Sequence, residues 1–143
     1  MTITSLLIIA AIILFINRNL ITHAYRHRHA ISNTVSGVVI HVVDGDTIKV
    51  AIDGRVETVR YIGVNTPEIG ERGYKDATET NRRLVEGKRV RMGSDKQDTD
   101  KYGRKLRYVW VGKKLVNREL YRQGVAKLMI IEPNTRRIGE IAS

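Results

Sequence analysis

The feature that most constrains this fold is a run of alternating, β-branched sequence punctuated by turn residues. Val35, Gly37, Val39 and His41 alternate with Ser36, Val38, Ile40 and Val42, the period-two pattern of a strand with two unlike faces. Asp44-Gly45-Asp46 interrupts the run, and residues 47–52 (TIKVAI) resume it. Asp53-Gly54 is a strong two-residue hairpin signal. A third strand over 56–64 follows it back, with Val59, Tyr61 and Gly63 on the face opposite Arg60 and Ile62. These three strands form a meander, in which the third runs parallel to the first.

Thr66-Pro67 ends the third strand, because proline offers no N–H to a ladder. Residues 74–86 predict a helix with Ala77, Asn81, Leu84 and Val85 on one stripe and Gly87 as its stop. Short strands are expected at 89–92 and 106–111, the second turning at Gly112-Lys113. Asn117 is placed as the cap of a short helix through Gln123, with Leu120 and Tyr121 inward and Gly124 at its end. The order β-β-β-α-β-β-α describes an α+β domain, a five-stranded OB-fold barrel with two to three helices packed outside.

The chain has 143 residues, room for one such domain and an N-terminal extension. Residues 3–16 (ITSLLIIAAIILFI) are apolar and uncharged. As a helix they reach ~21 Å, and extension to Ile21 approaches the ~30 Å of a bilayer core. We therefore assign 1–21 as a membrane anchor or uncleaved signal segment. A cleaved signal peptide is the alternative, although no basic stretch precedes the apolar run; a buried soluble helix is the third reading. Residues 22–36 read as a basic linker, in which His23, His27 and His29 suit a solvated tether better than a metal site. The barrel domain then covers 37–143. Arg18, Arg26 and Arg28 follow the apolar run, and this bias favours a cytoplasmic domain.

Lys and Arg number 25 against 15 Asp and Glu, for a formal charge of +10. That excess suits a polyanion such as nucleic acid, whose condensed counterions are released on contact, and it also suits acidic lipid. There is no cysteine, which excludes disulfides and thiolate metal sites.

Hydrolysis of a phosphodiester requires charge neutralisation, an activated water and stabilisation of the transition state. In the meander, Asp46 and the Asn65-Thr66-Pro67-Glu68 segment meet at one barrel mouth. The Asp46 carboxylate, an amide oxygen and a backbone carbonyl form an oxygen-only site suited to Ca²⁺. Glu68 is placed to polarise water as a general base, or is a surface carboxylate after a turn. Arg60, in mid-strand, and Arg104, in a polar loop, have guanidinium forks that fit a phosphate. A surface ion pair accounts equally well for either one alone.

Four segments carry a resemblance to the staphylococcal nuclease family: VVDGDTIKV (42–50), VRYIGVNTPE (59–68), TDKYGRKLRYVW (99–110) and LVNRELYRQGVAK (115–127). With the flanking stretches they span residues 35 to about 134, in family order. The resemblance implies an OB-fold barrel and Ca²⁺-dependent cleavage of DNA and RNA to 3′-phosphates. A calcium-dependent nuclease is expected outside the cytoplasm, either tethered there or secreted, which opposes the charge bias that favours a cytoplasmic domain. It implies that Asp46 and the Thr66 carbonyl hold the metal, with Asn65 at the position of a second carboxylate. It also implies that Glu68 activates water and that Arg60 and Arg104 hold the phosphate. Lys101 and Tyr102, assigned by the resemblance alone, would line the nucleotide site.

The chain departs from the family pattern at three places. Asn65 contributes a neutral oxygen, which should weaken Ca²⁺ binding, with Asp44 near enough to compensate in part. Leu128-Met129-Ile130-Ile131 replaces aromatic residues on which a base would stack. Residues 135–142 supply about two turns of a last helix. A non-catalytic nucleic-acid-binding module is the competing function, disfavoured because Glu68, Arg60 and Arg104 are all present. A purely structural membrane-tethered barrel has no specific support beyond the N-terminus.

Overall fold

The computed structural model describes residues 34–143. The anchor or signal segment, most of the linker and its three histidines lie outside the described residues. In chain order the elements are β1 (Thr34–Val42), β2 (Thr47–Ile52), β3 (Arg55–Tyr61), β4 (Val64–Asn65) and α1 (Tyr74–Val85). They continue with β5 (Arg89–Gly93), β6 (Lys105–Val111), β7 (Lys114–Leu115), α2 (Val116–Arg122), β8 (Lys127–Leu128) and α3 (Ile138–Ile141). The main sheet runs β3-β2-β1-β5-β6-β7, and parallel pairing of β3 with β6 closes five strands into a mixed barrel. The expected meander is its first half. Asp53 and Gly54 turn between β2 and β3 with φ of 47° and 78°, as a primed hairpin turn requires.

The barrel interior is apolar. Val39, Val42, Ile48, Val50, Val59, Tyr61, Val90, Met92 and Val109 are each no more than 2% exposed. Each such side chain contributes roughly 1.5–3 kcal/mol by leaving water. The strict alternation expected along β1 fails midway. Val39 faces Val50, but His41 faces Lys49 and Val42 faces Ile48, so a bulge lies between Val39 and His41. The extra residue inverts the phase: His41 turns out to solvent and Val42 turns into the core. Burial of Val42 in place of a polar imidazole is the physical gain.

Three other expectations are corrected. The third strand does not continue to 64. It stops at Tyr61, and Ile62-Gly63 form a turn before β4, which pairs with β8. Asn117 is not a cap. It lies within α2, fully buried, where Oδ1 accepts from Val109 N at 2.9 Å and Nδ2 donates to the Ile62 carbonyl at 2.8 Å. The last helix, α3, has a single turn rather than two, pinned by the buried Ile141. Among the described residues, no helix is long and apolar enough to cross a membrane.

Candidate active site

The Asp44-Gly45-Asp46 loop is pressed against the segment after β4. A Cβ built on Gly45 would lie 2.6 Å from Thr66 Oγ1 and 2.8 Å from Ala77 Cβ, so only glycine allows this approach. The approach delivers Asp46 to Thr66: Oδ2 accepts from Thr66 N at 2.8 Å and from Thr66 Oγ1 at 2.9 Å. Asp44 Oδ1 accepts from Asp46 N at 3.0 Å and fixes the loop from within. From outside, Asn81 on α1 donates to the Asp44 carbonyl at 2.9 Å and accepts from the Tyr61 hydroxyl at 2.9 Å. Burial pushes the Tyr61 phenol well above its ordinary range, so it remains a donor. In the sequence Asn81 reads only as part of a helical stripe. A polar residue in an otherwise apolar stripe was the signal of this supporting role.

Arg60 occupies the centre of the arrangement. Its Nε lies 3.1 Å from Asp46 Oδ1, and Nη2 donates to Asn65 Oδ1 at 2.9 Å. Nη1 donates to the carbonyls of Tyr61 and Val64, both at 2.8 Å. Those carbonyls are turned onto a side chain instead of a ladder, which is why the third strand breaks here. With three N–H groups committed and Nε on Asp46, few of the five remain for a ligand. The pair is largely enclosed, with side-chain exposures of 12% for Arg60 and 7% for Asp46. Burial raises the Asp46 carboxyl above its ordinary range, against the opposing pull of Arg60 and the Thr66 N–H.

Arg104 is held differently. Asp100 accepts its Nε at 2.7 Å and the backbone N–H groups of Tyr102 and Arg104, each at 2.9 Å. These bonds fix the loop and leave both terminal amines of Arg104 uncommitted to any described residue. Arg60, Lys101, Tyr102, Arg104, Met129 and Ile131 line one cavity of about 390 Å³. Tyr102 is 70% exposed, with Lys101 Nζ 5.0 Å and Arg104 Cζ 5.5 Å from its ring centroid. Asn134 and Gln97 exchange bonds of 2.8 and 3.0 Å, which join the Ile131 loop to the loop that carries Lys101 and Tyr102. Sequence reasoning missed this clamp, because neither residue lies in a recognisable motif.

The structure thus unites two of the expected groups. Asp46 and Asn65 meet at Arg60, Thr66 joins them through Asp46, and Arg60 in turn shares a cavity with Arg104, Lys101 and Tyr102. Glu68 joins neither group. It is exposed on the following loop, where its backbone N–H donates to Glu71 Oε2 at 2.7 Å.

A cation site can be tested on these donors. Asp46 Oδ1 and Asn65 Oδ1 already converge on one positive group, the Arg60 guanidinium, and both are hard oxygens of the kind Ca²⁺ prefers. Among the described residues, no three His, Cys, Asp or Glu side chains gather closely enough to hold a metal. The donor set therefore fits a hard cation in kind, with one carboxylate supported by neutral oxygens.

Barrel and cleft together define a class, a closed mixed barrel that presents paired arginines beside a buried carboxylate. The family model described as staphylococcal nuclease homologue matches residues 58–142. The chain is 36% identical over 140 residues to a thermonuclease of Staphylococcus hyicus, across 92% of this chain and 83% of that protein. It is 42% identical over 106 residues to the SPbeta prophage-derived endonuclease YokF of Bacillus subtilis (strain 168), across 68% of this chain and 36% of that protein. To the endonuclease YncB of the same organism it is 41% identical over 106 residues, 68% of this chain and 50% of that protein. The chain belongs to the staphylococcal nuclease family, as a thermonuclease-like hydrolase. It spans half or less of the two Bacillus endonucleases.

Proposed function

We propose that the domain is a calcium-dependent nuclease that hydrolyses phosphodiester bonds of DNA or RNA to 3′-phosphates, on an OB-fold barrel tethered to a membrane by residues 1–21. The observation that carries this reading is Arg60, which links the Asp46–Asn65–Thr66 oxygens to a cationic cavity. Asp46, Asn65 and the Thr66 carbonyl would hold the ion. When bound, Ca²⁺ supplies positive charge to the phosphate and lowers the cost of a nucleophilic water. Arg104, with two uncommitted amines, grips the phosphate bidentately. Arg60 adds its charge from a fixed position and stabilises the transition state without reorganising. Lys101 and Tyr102 flank the nucleotide, while Met129 and Ile131 form an apolar wall for a base. Plasmid DNA incubated with the protein, with Ca²⁺ or with a chelator, tests the reading. Cleavage only with Ca²⁺ is expected, and intact plasmid under both conditions would refute it. Fractionation of cells that express the full chain tests the tether: the protein should sediment with membranes and resist extraction by salt.

The exposed position of Glu68 favours the second reading, a nucleic-acid-binding module without catalysis. Glu68→Gln separates the two. If Glu68 activates water, turnover falls by roughly 10²-fold or more while DNA binding persists. Unchanged turnover would remove Glu68 from the chemistry.

A further inference from the structure

A second cleft, of about 600 Å³, lies beside the first and shares its boundary. Its lining includes Asn65, Thr66 and Pro67 on one side, Arg72 on another, and residues 124–127 on a third. The boundary is the β4–β8 ribbon. Asn65 pairs directly with Lys127, and Val64 with Leu128. Asn65 and Lys127 therefore belong to the second cleft, whereas Val64 and Met129 line the arginine cavity. Cross-strand partners of this kind have Cβ atoms about 4.5–5.5 Å apart. Lys127 thus stands one strand from the Asn65 amide that Arg60 grips.

The cations of this cleft lack local work. The side chains of Arg72 and Lys127 are exposed and engage no described residue. Two carboxylates share the cleft, but each has a local role: Glu71 accepts from Glu68 N, and Asp76 lies in the first turn of α1, where negative charge is favoured. The cleft therefore has little net field, and its cations act on a phosphate by contact.

We propose that this cleft is a second nucleotide subsite, in which Lys127 and Arg72 take a phosphate that flanks the one held by Arg60 and Arg104. The inference rests on the nuclease reading and deepens it. A polynucleotide crosses the β4–β8 ribbon as over a saddle, with chain continuing on both sides of the scissile bond.

The test compares the full-length protein with an Arg72→Ala/Lys127→Ala variant on oligothymidylates of two to eight residues. Both positions are exposed, and a melting curve verifies that the fold is retained. In the wild type, kcat/KM should rise with length. In the variant the ratio of octamer to dinucleotide kcat/KM should fall about tenfold, the scale of one lost charge-assisted hydrogen bond. The salt dependence of octamer binding, measured by fluorescence anisotropy, should lose a slope of about 0.7, the value for one phosphate on a single strand. An unchanged length dependence and salt slope would overturn the subsite. A wild type that binds the octamer without cleaving it would sink the nuclease reading alone, because the anisotropy slope still decides the subsite. A wild type that neither binds nor cleaves would refute both.

Discussion

At the scale of single residues, the two arginines have unlike duties although they share a cavity. Arg60 is a structural cation, with its donors spent on Tyr61, Val64 and Asn65 and its Nε beside Asp46. Arg104 is anchored by Nε alone and presents its terminal amines to the cavity. Replacement of each by lysine should cut turnover more than ground-state binding, because the fork is lost and the charge kept. Arg60→Lys should also lower stability by roughly 2–3 kcal/mol, read from the denaturant midpoint, since buried acceptors lose their partner. Arg104→Lys should stay within about 1 kcal/mol of the parent. Equal stability losses would contradict this division of labour. Asn65 gives a second residue-scale prediction. Asn65→Asp adds an anionic oxygen to the donor set and should lower the Ca²⁺ concentration for half-maximal activity. Sequence alone suggests that the new carboxylate would be repelled by Asp44, Asp46 and Glu68 and would weaken the metal-free fold. In the structure it meets the Arg60 guanidinium at hydrogen-bond distance, so the metal-free melting temperature should be held or raised. Calcium titrations of activity and of melting would check both statements.

At the scale of elements, the site is held by side chains that reach from helices into the barrel mouth. Asn81 joins α1 to Tyr61 and the Asp44 loop, and Asn117 joins α2 to β6 and the Ile62 turn. The carbonyl of Ile62 directly precedes Gly63 and β4, so Asn117 helps set where Asn65 begins. A simple helix cap would cost about 1 kcal/mol on truncation. Asn117→Ala instead leaves a buried N–H and a buried carbonyl unpaired, each costing about 1–3 kcal/mol. The expected loss is therefore at least ~2 kcal/mol in denaturant unfolding, and a loss under 1 kcal/mol would restore the cap reading.

At the scale of the whole molecule, pH acts through groups of opposite sign. Asp98 is held below its ordinary value of 3.8 by its bond to Lys105, with Arg107 adding to the effect. Its folded-state pKa lies below the unfolded one, so its contribution is fully present above the unfolded value and is lost as pH falls through the folded value. Asp46 behaves in reverse. With a raised folded-state pKa, it favours the fold at low pH and loses that contribution as pH rises through the folded value. Acid unfolding below about pH 4 should therefore be shallower in Asp98→Asn than in the parent. A curve of unchanged steepness would show that the link from Asp98 to β6 carries no pH-dependent stability.

The sequence by itself determined the barrel. Alternating β-branched residues, a hairpin dipeptide and a helical stripe are local signals, and local sterics and burial are enough to read them. The residue types at 46, 60, 65, 66 and 104 are likewise legible as hard oxygens and guanidinium forks, and the structure brings Asp46, Asn65 and Thr66 close to Arg60 and sets Arg60 and Arg104 on one cavity. Tertiary structure alone decided the rest. The β1 bulge depends on which of His41 and Val42 the closed barrel can bury, a comparison that no local pattern contains. The break after Tyr61 follows from Arg60 taking two carbonyls, and the role of Asn117 from carbonyls 10 and 55 residues away in the chain. The pairing of Asn65 with Lys127 arises only when β8 folds back onto β4. Except at Arg60, whose two carbonyls lie one and four residues away, the deciding partner is distant in sequence, and throughout the choice turns on satisfying a buried polar group or filling a core position once the barrel has closed.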